Sequence, residues 1–270
     1  MNEIPGLDRR DYVQSVARAL SVITAFTDAG PLLTLGALAS ATGLSKPTIR
    51  RILLTLQQLG YVRSEGTAYA LTPRVLALGY AYLSSLHLPA VAQPVMEELT
   101  EQLGEGTSLA TLDGDEVVYV NRVQRHRITS INLAVGTRLP AHATSMGHVL
   151  LADLEPQALD RYFATARLQA LTGRTITSQP ALAERLREVR ERGWDAVDQE
   201  LEIGRRSAAA PVRDASGKVL AALSLSFGTA DRTMADLVST CVPPLLTAAR
   251  RISEALGGGG YDLRRAAGSR

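Results

Sequence analysis

The sequence predicts an α+β protein in two parts. A winged helix-turn-helix occupies residues 1–72, and a linker helix over 73–89 leads to a helix-covered sheet domain over 90–256. A tail over 257–270, rich in glycine and arginine, is expected to be disordered. Three observations predict this. Residues 34–71 hold a short apolar helix, a glycine turn, a second helix and a two-strand wing, in that order. After Gly104 the apolar pattern changes from helical spacing to alternation and back, as in a sheet with helices laid on it. Charge also divides along the chain: residues 1–85 carry eight Lys/Arg against five Asp/Glu, and residues 86–256 carry eighteen against twenty-one. A basic head on a mildly acidic body confines attraction for a polyanion to one end.

The first helix, over 12–27, places Val13, Val16, Leu20, Ile23 and Phe26 on one face, and Gly30-Pro31 breaks it. The next helix ends at Gly43. Ser45 is the N-cap of the one that follows. Ile49, Ile52, Leu53, Leu56 and Leu59 recur three or four apart and form its buried stripe, and Gly60 stops it. Two strands then turn around Ser64-Glu65-Gly66-Thr67. A helix in this setting suits the major groove of DNA. Its outer face shows Lys46, Thr48, Arg50, Arg51 and Thr55: Arg and Lys contact phosphates or guanine edges, Thr and Ser either phosphates or bases. The candidate DNA contacts are Gln14, Ser15, Arg18, Thr34, Ser45, Lys46, Pro47, Thr48, Arg50, Arg51, Thr55 and Arg63. An ordinary solvated basic face is the competing explanation for any one helix. The ordered run of cap, glycine turn, basic face and wing favours DNA.

Thr72-Pro73 ends the wing and opens the linker helix, because proline suits a first helical turn. A helix over 91–103 carries Val95, Met96, Leu99 and Leu103. Strands over 107–112 and 116–123 flank the turn signal Asp113-Gly114, and a further strand is expected over 130–135. Helices follow over 144–151, 156–164 and 180–192, and strands over 194–198, 205–212 and 219–227. A last helix over 231–256 should kink or break at Pro243-Pro244.

The chemical clue in the second domain is the strand pair around Asp214-Ala-Ser-Gly217. If that loop joins the strands symmetrically, Arg213 faces Lys218, Ser207 faces Ser224 and Arg205 faces Ser226. Side chains alternate along strands, so Arg205, Ser207, Ser224 and Ser226 share one face, and Ala221, Leu223, Leu225 and Phe227 point into the core. One guanidinium and three hydroxyls suit a small anion, since Arg holds a carboxylate by two parallel hydrogen bonds. A solvated sheet face is the plain alternative. A second clue is the segment 136–147, in which Thr144 or Ser145 caps a helix whose free N–H groups could meet an anion. On spacing alone, a plain helix cap explains it slightly better.

These residues carry a resemblance. The segment Tyr12-Val-Gln-Ser-Val-Ala-Arg-Ala-Leu20, the winged helix, Gly136-x-Arg-Leu-Pro-Ala-x-Ala-Thr-Ser-x-Gly147, Gln199-Glu-x-Glu-x-Gly204 and the Ala-x-Ser-x-Ser run ending at Ser226 resemble the IclR family of transcriptional regulators over residues 12–256. Within it, the Tyr12-Val-Gln-Ser15 opening and the 139–147 segment are most similar to the PcaR/PcaU/PobR group. That likeness implies control of aromatic-acid catabolism through the β-ketoadipate pathway. The family resemblance implies a GAF-like effector domain, a homodimer or tetramer, double-stranded operator DNA as partner, and a small carboxylate effector. It implies a pocket of Ile128, Ile131, Leu139, Thr144, Ser145, Met146, Arg205, Ser207, Ser224 and Ser226. Members that bind very small oxoacids tend to be apolar where Arg205 stands, which implies a different acid here. His148 stands where the family often has Arg or Lys, which puts an anion contact from it in doubt.

Other classes are less well supported. Ser145 as a nucleophile lacks the glycine two residues earlier that a nucleophile elbow needs, since Ala143 is there. His142 and His148 come with no recognisable acid partner and no metal-ligand spacing. The single cysteine, Cys241, excludes an internal disulfide framework and a Cys-rich zinc site. No catalytic residue, cofactor or metal is therefore expected. No apolar run is long enough to span a membrane and Met-Asn-Glu-Ile-Pro is no signal peptide, so a cytoplasmic protein is expected. A hydrolase-like enzyme with an appended DNA-binding domain and a ligand-free architectural DNA-binding protein remain the alternatives.

Overall fold

A computed structural model of the chain describes residues 12–78, 88–124 and 134–257. The chain divides into two compact units, residues 1–85 and 86–270.

In the first unit, α1 (Gln14–Ala29), β1 (Leu33–Thr34), α2 (Leu35–Thr42) and α3 (Lys46–Gln58) precede the wing strands β2 (Val62–Glu65) and β3 (Ala68–Leu71). β1 adds to the wing, giving the order β1-β3-β2. Thr34 caps α2 by accepting the Ala37 N–H, and Ser45 caps α3 by accepting the Thr48 N–H. Gly43 sits at φ 68°, a left-handed turn that glycine adopts without penalty. Val22, Phe26, Leu38, Ile49, Leu53 and Leu56 form the core between the helices.

Two expectations change here. The buried face of α1 is Val22, Ala25 and Phe26, while Val13, Val16 and Leu20 are 59%, 55% and 52% exposed. The helix carries two apolar stripes on different sides, and only the C-terminal one meets α2 and α3. Leu59 is half exposed, because it lies past the last turn of α3, where the chain leaves the stripe. After β3, a single turn at Pro73–Val75 begins the segment expected to be the linker helix, most of which lies outside the described residues.

The second unit is built on a six-stranded antiparallel sheet of order β6-β5-β4-β9-β8-β7. Its strands are β4 (Thr107–Asp113), β5 (Glu116–Val123), β6 (Arg138–Pro140), β7 (Asp195–Asp198), β8 (Arg205–Arg213) and β9 (Val219–Gly228). Helices α4 (Leu88–Leu103) and α8 (Val242–Ala255) cover one face; α5 (Ser145–Ala152), with α6 (Pro156–Thr165) and α7 (Gln179–Arg192) outside it, covers the other. On the α4 side the Thr107 hydroxyl bonds the Met96 carbonyl, and Leu223, Leu225 and Phe227 are fully buried. On the α5 side Ala110, Ala209 and Ala222 pack with Met146, Val149 and Leu186. The alanines let the helices lie close to the sheet. Gly147 lets α5 close against the turn before it: a Cβ there would overlap the Ala141 carbonyl oxygen.

The expected last helix is interrupted. A short turn at Met234–Asp236 and a wide turn at Leu237–Cys241 precede α8, whose first turn holds Pro243 and Pro244. Of the strand expected over 130–135, residues 130–133 lie outside the described residues, and Ala134 begins a turn closed by Thr137. Among the described residues the edge strand is β6, three residues long. The expected tail lies outside the described residues beyond Gly257.

Candidate DNA face and effector cavity

On the first unit, the side chains of Lys46, Arg50 and Arg51 project from α3 and are exposed, and among the described residues these side chains make no hydrogen bond or ion pair. The other α3 candidates are partly occupied. The Ser45 and Thr48 hydroxyls bond each other at 2.9 Å, and the Thr55 hydroxyl donates to the Arg51 carbonyl. Thr34 is held as a cap, and Arg63 pairs with Glu65 on the wing. Gln14 and Ser15 are exposed on the first turn of α1, Arg18 is partly buried one turn on, and Pro47 is exposed in the first turn of α3.

The second unit holds a cavity of about 340 Å³ on the α5 side of the sheet. Its size is that of a small-ligand site. Arg205, Ser207, Ser224 and Ser226 line it from β8 and β9, and Leu139, Thr144, Ser145 and Met146 from β6 and the start of α5. Ile128 and Ile131 lie outside the described residues. The Ser145 and Ser207 hydroxyls bond each other at 2.9 Å across the cavity wall. Thr144 spends its hydroxyl on the Gly147 N–H, so that N–H is not open to an anion.

The expected register of β8 and β9 is corrected. Ser207 faces Ser226, Ala209 faces Ser224, Arg205 faces Gly228, and Arg213 faces Val219 rather than Lys218. Two one-residue slips add up: the turn, held by Asp214 accepting from Ser216 and Lys218, spans one residue more, and β9 bulges opposite Val212/Arg213. One slip turns every side chain to the other face, and two restore it. The four side chains therefore still share a face, and α5, rather than solvent, covers it.

The sheet extends this polar surface beyond the expected residues. Ser108 of β4 faces Ser224 and Arg122 of β5 faces Ser108, so both lie in the same row. Ser108, Tyr119, Val197, Glu200, Glu202 and Arg206 also line the cavity. No sequence signal marks Ser108, since polar and apolar residues fall on both faces of Thr107-Ser-Leu-Ala-Thr-Leu-Asp113 and alternation singles out none of them. Of two adjacent arginines, Arg206 is tied to Asp198 at 2.7 Å and to the Arg232 carbonyl. Among the described residues, the Arg205 guanidinium has no hydrogen bond or ion pair, with Glu200, Glu202 or any other group. Burial favours the neutral form of Arg122, the nearby Tyr119 opposes this, and the positive charge of Arg205 adds to it. Two like charges therefore bear on one polar surface.

Behind the cavity lies a charged core. His148 and Asp195 are both fully buried. His148 Nδ1 meets Asp195 Oδ2 at 2.6 Å and its Nε2 meets the His142 carbonyl at 2.7 Å. Both partners are acceptors, so both ring nitrogens carry protons and His148 is an imidazolium. Burial opposes that charge, but the Asp195 hydrogen bond and charge, Glu200 and the His142 carbonyl outweigh it and raise the pKa. Arg185 and Arg192 meet the other Asp195 oxygen. His142 is the opposite case: burial lowers its pKa, and its Nε2 meets the Gln169 carbonyl at 3.0 Å.

Comparison with known proteins decides the family. The model for the "IclR helix-turn-helix domain" matches residues 15–66, and that for the "Bacterial transcriptional regulator IclR C-terminal" matches residues 80–254. The chain belongs to the IclR family. It is 43% identical to the Pca regulon regulatory protein of Pseudomonas putida, over 92% of this chain and 86% of that one. A crystal structure from Rhodococcus sp. RHA1 superposes with a TM-score of 0.82 at 48% identity, covering 91% of this chain and 98% of the other. An IclR homologue from Microbacterium hydrocarbonoxydans, complexed with 4-hydroxybenzoate, superposes with a TM-score of 0.79 at 27% identity, covering 90% and 98%. As an IclR-family protein the chain is a transcriptional regulator: a DNA-binding head joined to a ligand-binding domain. Among the described residues, no helix is long and apolar enough to cross a membrane, and no cluster of three His, Cys, Asp or Glu could hold a metal.

Proposed function

We propose that this IclR-family regulator binds operator DNA as a homodimer or tetramer, and that a small carboxylate held at Arg205 changes its operator affinity. The observation that carries the effector reading is a guanidinium without a bonded partner among the described residues, beside three seryl hydroxyls in a cavity. The relatives support an aromatic acid as effector and genes of aromatic-acid catabolism, through the β-ketoadipate pathway, as targets. One relative is named for the Pca regulon, and the structure of another holds 4-hydroxybenzoate. Catalysis has no support at Ser145. Its hydroxyl is engaged by Ser207, and the buried histidines nearby spend ring nitrogens on carbonyls and Asp195. The direct test is operator binding with and without the acid. Coupling is reciprocal, so DNA must alter acid affinity by the factor by which acid alters DNA affinity.

The DNA face is tested by Arg50→Ala and Arg51→Ala. An arginine that reads a base costs about 1–3 kcal/mol and relaxes specificity when removed, and one that holds a phosphate lowers the salt slope by about one. Neither variant should shift the melting temperature, because both side chains are exposed and unpaired. Wild-type operator affinity in both variants at several salt concentrations removes α3 as the recognition helix.

Self-association is supported by the second apolar stripe of α1. Val13, Val16 and Leu20 line one side of the helix and remain exposed within their own unit. A dimer with one head per subunit is expected to protect an inverted repeat with half-sites about one helical turn, or a multiple, apart. Val16→Asp should shift the chain towards monomer in light scattering and shorten the footprint to one half-site. A monomeric wild type protecting a single half-site defeats the dimer.

A further inference from the structure

The fold engages the Glu200 carboxyl only in part, through a hydrogen bond from the Ile176 N–H and the nearby charges of His148 and Arg185. Glu200 is 5% exposed, it lines the cavity, and its Oε2 is buried with no hydrogen-bond partner among the described residues. A buried polar atom left unpaired is costly. The loop that carries it is nonetheless held firmly. Gln199 stands at φ 64°, a left-handed conformation that strains a non-glycine residue. Its side-chain oxygen accepts the Gly204 N–H, and its own N–H donates to the Arg205 carbonyl. From outside, Thr172 bonds the Gln199 carbonyl at 2.7 Å and Thr175 bonds the Glu200 carbonyl at 2.6 Å. The chain accepts strain and spends four hydrogen bonds to present a carboxyl to a cavity wall. Arg205, in the same wall, is not its partner.

We infer that Glu200 is a specificity-determining residue whose free Oε2 takes a hydrogen bond with a neutral hydroxyl on the effector. This rests on the effector reading above, and narrows it to carboxylates that also bear a hydroxyl. Arg205 and the serines serve the carboxylate. At Glu200 a second carboxylate would meet like charge. A cation would gain little, because burial pushes the Glu200 pKa up towards the neutral acid, against the nearby charges of His148 and Arg185. A hydroxyl suits either state, since a carboxylate accepts from it and a carboxylic acid both accepts and donates.

The test is calorimetry on the full chain with 3- and 4-hydroxybenzoate, the matching methylbenzoates and benzoate. The wild type is expected to bind one hydroxybenzoate at least about tenfold more tightly than its methyl counterpart, because the methyl leaves Oε2 unpaired. Glu200→Met keeps the length and removes the polar end. It should bring that pair to within about threefold, chiefly by strengthening the methyl acid. Glu200→Gln should keep a preference for the hydroxyl, since an amide oxygen also accepts. Equal wild-type affinities within each pair overturn this inference alone, and so does a Glu200→Met protein that keeps the wild-type ratio. Should Glu200→Met fail to fold, the wild-type pairs and Glu200→Gln decide: loss of all preference in Glu200→Gln counts against it. No binding of any of these acids by the wild type overturns the benzoate effector reading and this inference with it.

Discussion

Asp195→Asn is expected to destabilise the second unit by about 3–5 kcal/mol, the usual result of removing one partner from a buried ion pair. For a unit of this size the melting temperature should fall by on the order of 10 °C. The cost comes from what remains. His148 is wholly buried, and its two ring nitrogens face a carbonyl and a carboxylate. An amide can donate to a neutral imidazole, but it balances neither the imidazolium nor the Arg185 and Arg192 guanidiniums that meet the other carboxylate oxygen, so the loss is one of charge. The pH dependence gives the sharper test. The folded-state pKa of His148 is raised above the ordinary value of 6.5, so the stability it contributes is fully present below pH 6.5 and is lost as pH rises through the folded value. The gap in melting temperature between wild type and Asp195→Asn should therefore be widest near pH 6 and narrow towards pH 9. Groups common to both proteins cancel in that gap. A gap below about 1 kcal/mol, or one that does not change with pH, means that His148 is neutral and the pair is an ordinary hydrogen bond.

This pair also shows where the sequence is silent. His148 and Asp195 lie 47 residues apart and belong to no spacing pattern, so His148 read as a histidine without an acid partner and as a departure from a basic residue common in the family. The legible parts are those written locally. Ser45, Gly43 and Gly60 punctuate the helix-turn-helix, because caps and left-handed turns depend on one or two residues. Alternation placed Arg205 and the serines on one surface, but it could not count a bulge or an extra turn residue, so the partner of Arg213 was displaced by one and those of Ser207 and Arg205 by two. Faces depend only on parity, and they survived. α1 misled because two apolar stripes satisfy the same helical spacing, and only packing against α2 and α3 distinguishes them. Glu200 was legible as a nearby carboxylate and as nothing more. Its place in the cavity wall comes from the φ of Gln199 and from Thr172 and Thr175, which tertiary contacts alone bring to it.

Arg205→Leu should abolish the response to a carboxylate effector while leaving the fold and operator binding intact. Losing one partner of a buried, hydrogen-bonded charge pair costs about 2–5 kcal/mol. Calorimetry should therefore show the dissociation constant rising by roughly 30-fold to several thousand-fold. Stability should move little, or rise. In the free protein the Arg205 guanidinium has no bonded partner among the described residues, and its charge bears on Arg122. Removing it breaks no ion pair and relieves a repulsion, the pattern expected where a site is kept unfavourable for the sake of function. A salt bridge from Arg205 to Glu200 or Glu202 would predict the reverse, an unfolded or much weakened variant. Arg205→Lys restores charge without the planar two-bond contact and should recover only part of the affinity. Thermal shift distinguishes the cases in one experiment, because a ligand that binds only the folded form raises its melting temperature. Arg205→Leu should melt at or above the wild-type temperature without acid and gain nothing when acid is added. A variant that binds the acid as the wild type does removes Arg205 from the site, and one that melts far below wild type without acid restores the structural role.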